Sequence, residues 1–201
     1  MSAAYEVLSL DDLDRIPVAE GLESRPIRRR LGIRSFGTNA YTSERVGGWV
    51  VEEHVEGTGH EELYVVVSGR ARFALDGEEL DAPAGTIVFL PEHDVTRKAV
   101  AEEEGTTVLA VGGWPDRAFE PSQWEWYFEA SDKKPERAIE IMREGIAELG
   151  ERPWLLYELA RHEARAGRRD EARQHLAQAV EGEPKAAERA SGDDHLRELL
   201  P

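Results

Sequence analysis

Gly48–Gly69, GWVVEEHVEGTGHEELYVVVSG, is the stretch on which the reading of the chain turns. It places His54 and His60 among Glu56, Glu61 and Glu62. Apolar, β-branched runs bound it: Trp49-Val50-Val51 leads in, and Leu63-Tyr64-Val65-Val66-Val67 leads out to a turn at Ser68-Gly69. Such runs between glycines are strand signals, and alternate residues of a strand share a face. His54 and Glu56 therefore point one way, while His60, Glu62 and Tyr64 share a face if the second strand has begun by residue 60. A turn at Gly57-Thr58-Gly59 would fold the two polar sets toward each other. Imidazole and carboxylate groups converging in this way are the donor set that holds borderline divalent metals.

Strand grammar continues on both sides of this stretch. Upstream, Ser9–Ile16 reads as a short helix capped by Ser9, with acids in its first turn and Pro17 ending it. Pro26–Ile33 and Ser35–Tyr41 read as strands, with Arg28-Arg29-Arg30 as an exposed, partly paired strand edge. Downstream, Arg70–Leu75 alternates and reaches Asp76-Gly77, the dipeptide of a tight type I′ hairpin, with Glu78–Pro83 returning. Ala84-Gly85 turns into Thr86–Leu90, which reads as a buried strand, and Pro91–Asp94 turns again. Val95–Val100 and Thr106–Val111 complete the series, which Gly112-Gly113-Trp114-Pro115 closes. Short strands at intervals of roughly ten residues indicate a sandwich or barrel.

The same residues resemble the first motif of the cupin family. The match holds at Gly48, at His54 six positions later, at Glu62, and at Gly69 seven positions after that. Glu56 stands where the family has its second histidine, and the interval from there to Glu62 is longer than the family's, so His60 is the candidate replacement. The shorter second motif has its counterpart in Gly85 and Pro91, with His93 at the family's second glycine and Thr96 at its metal-binding histidine. The resemblance covers about residues 30–112. It implies an all-β cupin barrel, the double-stranded β-helix or jelly roll. A divalent metal ion would be held by His54, His60 and Glu62, with Glu56 as an alternative or outer ligand. Tyr64, His93, Thr96 and Arg97 would line the pocket, the last two near the place of the family's fourth ligand. A small organic molecule would bind beside the metal. Cupins carry many chemistries as well as non-catalytic binding, so neither reaction nor substrate is implied.

After Pro121 the pattern changes to helices. Ser122–Glu125 reads as a capping box, and Trp124, Tyr127 and Phe128 follow helical spacing. Pro135 and Pro153 open two further helices, Gly167 breaks the second, and another apolar stripe ends at Gly182 and Pro184. A last short helix is expected from Asp193 to Leu200. Ala138, Met142, Gly145 and Ile146 recur as Ala172, Leu176, Ala179 and Val180, each pair 34 positions apart. That period resembles the tetratricopeptide helix pair. The sequence thus divides into a barrel domain, 1–117, and a tetratricopeptide-like helical module, 118–201. Two repeats bury little surface alone, so the module is expected to dock on the barrel through Trp124, Trp126 and Phe128. His162, His175 and His195 belong to no constellation and read as surface or interface residues.

Composition narrows the function classes. Of 201 residues, 40% are hydrophobic and 33% charged, which is the balance of a folded, water-compatible chain. The absence of cysteine removes disulfides and thiol nucleophiles. A net charge of −16 disfavours nucleic acid as a partner, since phosphate contacts need clustered Lys and Arg. No apolar run reaches the roughly 20 residues of a membrane span, and the N-terminus lacks the pattern of a secretory signal, so a cytoplasmic protein without a membrane partner is expected. No nucleophile elbow, phosphate loop or dinucleotide fingerprint occurs. Two readings stand. One is a cupin binding a divalent metal and a small molecule. The other is a metal-free small-molecule sensor or scaffold whose helical module binds a protein partner. A homodimer is expected in either case, with residues 26–41 crossing to the second subunit.

Overall fold

A computed structural model describes residues 5–56 and 59–200. The chain falls into two compact units, one ending at Glu120 and one beginning at Pro121.

The first unit contains the strands β1 (Ile16–Ala19), β2 (Leu22–Arg25), β3 (Gly37–Ser43), β4 (Trp49–His54), β5 (Glu61–Ser68), β6 (Arg70–Leu75), β7 (Glu78–Pro83), β8 (Ile87–Leu90), β9 (Arg97–Ala101) and β10 (Thr106–Gly113). One sheet runs β1-β2-β3-β10-β5-β8 and the other β4-β9-β6-β7. The nesting is what matters: β3 pairs with β10, β4 with β9, β5 with β8 and β6 with β7, all antiparallel. A long hairpin wound into two facing sheets is the jelly roll. The innermost turn is Asp76-Gly77, both at positive φ (50° and 87°), as the type I′ turn requires.

Between the sheets lies a core that includes Val50, Val51, Tyr64, Val66, Phe73, Val88, Leu90, Ala99 and Val108. Strand alternation generates it: Tyr64 and Val66 point inward from β5, and Val88 and Leu90 from β8. The other face of β8 is open, with Ile87 and Phe89 more than half exposed, so this strand is half-buried and not the buried strand its apolar run suggested.

Three N-terminal expectations need correction. The helix expected over Ser9–Ile16 is a single 3₁₀ turn, Leu10–Asp12, although Ser9 caps it in a capping box with Asp12. Pro17 lies in β1, the edge strand of its sheet, where a missing N–H is tolerated. Pro26–Ile33 is not a strand: Ile27–Leu31 forms a short helix, α1, ended by Gly32 in the left-handed conformation, and Arg28 is buried. Arginine is a good helix former, and Leu31-Gly32 is a helix stop. β3 is hydrogen-bonded to β2 and β10 of its own chain.

The second unit contains α2 (Trp124–Ser131), α3 (Pro135–Leu149), α4 (Pro153–Arg165), α5 (Arg169–Gly182) and α6 (Lys185–Ser191), then a 3₁₀ turn, Arg197–Leu199. The repeat is visible in burial. Ala138 and Ala172, then Met142 and Leu176, occupy equivalent fully buried positions on α3 and α5. At the start of α2, Ser122 Oγ accepts from Trp124 N–H at 3.4 Å. Pro184 opens α6, a helix the sequence reading passed over. Trp126 is buried among Ala130, Ala138, Ile139, Met142 and Leu155 in the unit's own core, so it is not the docking residue it was expected to be. Trp124 packs on Tyr127, Phe128 and Trp154 of the same unit. Among the described residues, no helix is long and apolar enough to cross a membrane.

Candidate metal and ligand site

The site forms at one end of the barrel from β4, β5 and the start of β9. Alternation along β5 sends Glu62 and Tyr64 inward together, and the Tyr64 hydroxyl donates to Glu62 Oε2 at 2.6 Å. Burial, reinforced by the Glu62 carboxylate, pushes the Tyr64 phenol well above its ordinary pKa, so it stays a donor. Arg97 opens β9 opposite His54 and is fully buried, with Nη1 3.3 Å from Glu62 Oε2. Its Nη2 donates to the backbone carbonyls of Glu92 and His93, each at 3.4 Å.

His54 stands at the end of β4 with its Nδ1 2.7 Å from the carbonyl of Glu52. Donation through Nδ1 leaves Nε2 as the lone-pair nitrogen, the arrangement by which a backbone carbonyl orients a ligating imidazole. Nε2 is 3.7 Å from Glu56 Oε1 and 3.9 Å from Glu62 Oε2. One donor atom from each of His54, Glu56 and Glu62 lies within 4.8 Å of the others. His60 joins the edge of this group, its Nδ1 4.0 Å from Glu56 Oε2. Its ring packs 4.9 Å from that of Trp114 and lies so close to Gly112 that a Cβ there would overlap it.

The donor set therefore suits a divalent cation: one oriented imidazole and two carboxylates, all partly exposed or reachable. Against it stands the Arg97 cation beside Glu62. Tyr64, Arg97 and His54 all meet Glu62 through Oε2, and Oε1 takes part in none of these contacts.

The remaining expected residues divide. His93 contributes its carbonyl, which accepts from Glu56 N–H at 3.0 Å as well as from Arg97. Thr96 is exposed, and its backbone exchanges hydrogen bonds with Asp76 at the β6–β7 turn. The turn expected at Gly57-Thr58-Gly59 falls partly on residues 57 and 58, outside the described residues. The sequence reading missed Trp114 and Gly112, taking them as a closing turn; the pair of glycines beside a tryptophan was the available signal.

Residues 130–192 match the family model of the tetratricopeptide repeat. The nested strand pairs supply the other half of the assignment. The chain joins a barrel of cupin fold to tetratricopeptide helices. Similar solved structures include KdgF from Halomonas sp., at 18% identity over 57% of this chain and 93% of that chain, with a TM-score of 0.45. Another is a sugar phosphate isomerase of the cupin superfamily from Silicibacter pomeroyi, at 21% identity over 53% of this chain and 74% of that chain, with a TM-score of 0.46. A third is a predicted oxalate decarboxylase from Thermotoga maritima, at 17% identity over 53% of this chain and 97% of that chain, with a TM-score of 0.44. No curated protein matches the chain.

Within the cupin barrel, the two motif departures have physical counterparts. Glu56, at the second histidine of the first motif, brings a carboxylate into the three-donor group, while His60 sits one contact further out. Where the second motif lacks its histidine at Thr96, the next residue, Arg97, fills the interior with a guanidinium. The cupin barrel thus keeps a three-donor group and places a permanent cation beside it.

Proposed function

We propose that the cupin barrel binds a divalent cation through His54, Glu56 and Glu62 and presents it to a small organic molecule. The observation that carries this reading is the convergence of the three donor atoms within 4.8 Å, with His54 already oriented by the Glu52 carbonyl. A bound cation would supply Lewis acidity to a ligand oxygen. This chain's own residues hold Glu62 in place through Tyr64 and balance its charge through Arg97.

Elemental analysis of protein loaded with manganese, iron, nickel or zinc and then desalted tests the proposal. Wild type should retain a single ion per chain, and His54→Ala and Glu62→Gln should retain almost none. The ion should also raise the wild-type melting temperature and leave the variants unmoved, because a ligand that binds only the folded state stabilises it. Equal metal content in wild type and both variants would refute the assignment. A metal-free reading has one observation in its favour: the Glu62 carboxylate already has a phenol and a guanidinium. In that version the barrel is a small-molecule sensor or scaffold, and the tetratricopeptide helices carry the protein partner.

A further inference from the structure

We infer that the small molecule received by the barrel is an organic carboxylate, met by Arg97 and His60; this rests on reading the barrel as a binding site. Arg97 is fully buried, yet among the described residues its Nε has no hydrogen-bond partner and its Nη1 meets Glu62 Oε2 only as an ion pair at 3.3 Å; the buried Nδ1 of His60 has no hydrogen-bond partner either. Leaving a buried donor unpaired is costly, and the large majority of such groups in folded proteins are paired. The orphans are also not scattered. Contacts of 3.3, 3.9, 3.7 and 4.0 Å run from Arg97 to Glu62, His54, Glu56 and His60 in turn, so both residues border one group.

The orphaned atoms specify their occupant. A guanidinium has donors and no acceptor, and His60 Nδ1 can donate, so what arrives must bring acceptor oxygens. Charge narrows the class further. Arg97, Glu56 and Glu62 sum to one negative charge, which the proposed divalent cation turns into one positive charge. A single carboxylate balances that, whereas a phosphate dianion overshoots it beside two glutamates. With a net charge of −16, the chain repels anions at a distance, so the carboxylate is held by these local contacts alone.

Calorimetric titration of glycolate, at fixed ionic strength, decides the matter with inorganic phosphate as the counter-probe. It is run on manganese-loaded protein and on protein treated with chelator. Glycolate should bind saturably to the loaded form and phosphate should not. Arg97→Lys keeps the charge beside Glu62 but loses the guanidinium donors, and should weaken glycolate about tenfold. His60→Phe keeps the ring against Trp114 and Gly112, removes the donor, and should weaken binding to a smaller extent. It is the deciding variant if Arg97→Lys does not fold. If manganese is not taken up, the proposed metal reading fails alone, and the same two variants are compared on the chelator-treated protein. Absence of glycolate binding in both forms overturns the inference, as does preferential phosphate binding. So does glycolate affinity that both variants leave unchanged.

Discussion

Trp126→Ala should destabilise the helical unit by about 3–5 kcal/mol, the range for removing a large aromatic side chain from a packed core. The indole is 1% exposed and lies in a cluster with Ala130, Ala138, Ile139, Ile141, Met142, Leu155 and Leu159. It is seated on Gly145, where an added Cβ would come within 2.9 Å of Trp126 Cγ. The neighbours that would have to close the cavity include two alanines and a glycine, which have no side-chain reach to do so. Collapse is therefore limited, and the cost belongs near the upper end. Urea denaturation followed at 222 nm, which reads the helices, should show a large fall in midpoint. Trp126→Phe should recover part of it by restoring a ring over Gly145. A Trp126→Ala midpoint equal to wild type would mean that the indole is not the core residue described.

This tryptophan also shows where sequence reading succeeds and where it stops. Helical spacing revealed that an aromatic helix begins near Trp124, and the 34-position recurrence revealed the tetratricopeptide period. Neither could say which aromatic faces inward, because Trp124, Trp126 and Phe128 are two or four positions apart on a helix and differ only in azimuth. The small residue at Gly145 was the missing half: Ala179 holds the equivalent position on α5, and glycine is needed only where the indole sits. In the barrel, strand alternation was legible wherever one face is apolar and the other polar. It failed for β8, where both faces carry large apolar residues and only position at the sheet edge leaves Ile87 and Phe89 outside. It failed again at α1, where three arginines were read as a polar strand edge although a glycine stop followed them.

The site was legible to the extent that it follows strand periodicity. Glu62 and Tyr64 share the inner face of β5 as alternation requires, and their side chains meet. His54 was marked by its motif position. The relative standing of Glu56 and His60 was not legible, because both flank a loop, and loop geometry has no period to extrapolate. Arg97 was named as a pocket residue, but its pairing with Glu62 depends on the β4–β9 register, which places it opposite His54. Local sequence contains no such long-range register.

Acid should weaken the helical unit through His162, a residue that the sequence reading set aside as surface or interface. It lies on α4 and is 3% exposed, and Arg165 Nη1 is 3.4 Å from its Nδ1. Burial first, then the Arg165 and Arg161 guanidinium groups, pull its pKa down from 6.5 to about 4. A depressed histidine pKa means that the unfolded chain binds the proton more readily. The stabilising contribution is therefore fully present above about pH 6.5, declines as the pH falls, and is exhausted below about pH 4. Two and a half pKa steps correspond to about 3 kcal/mol. Glu158 on the same helix acts in the opposite sense: burial raises its pKa, so its protonation favours the folded state as the pH falls. Comparing wild type with His162→Gln separates the two, since Glu158 is common to both. Urea midpoints at 222 nm from pH 8 to pH 4 should converge or cross as the pH drops, because wild type carries the extra acid-dependent loss. Parallel profiles for the two proteins across that range would show that His162 does not titrate between folded and unfolded states as its burial requires.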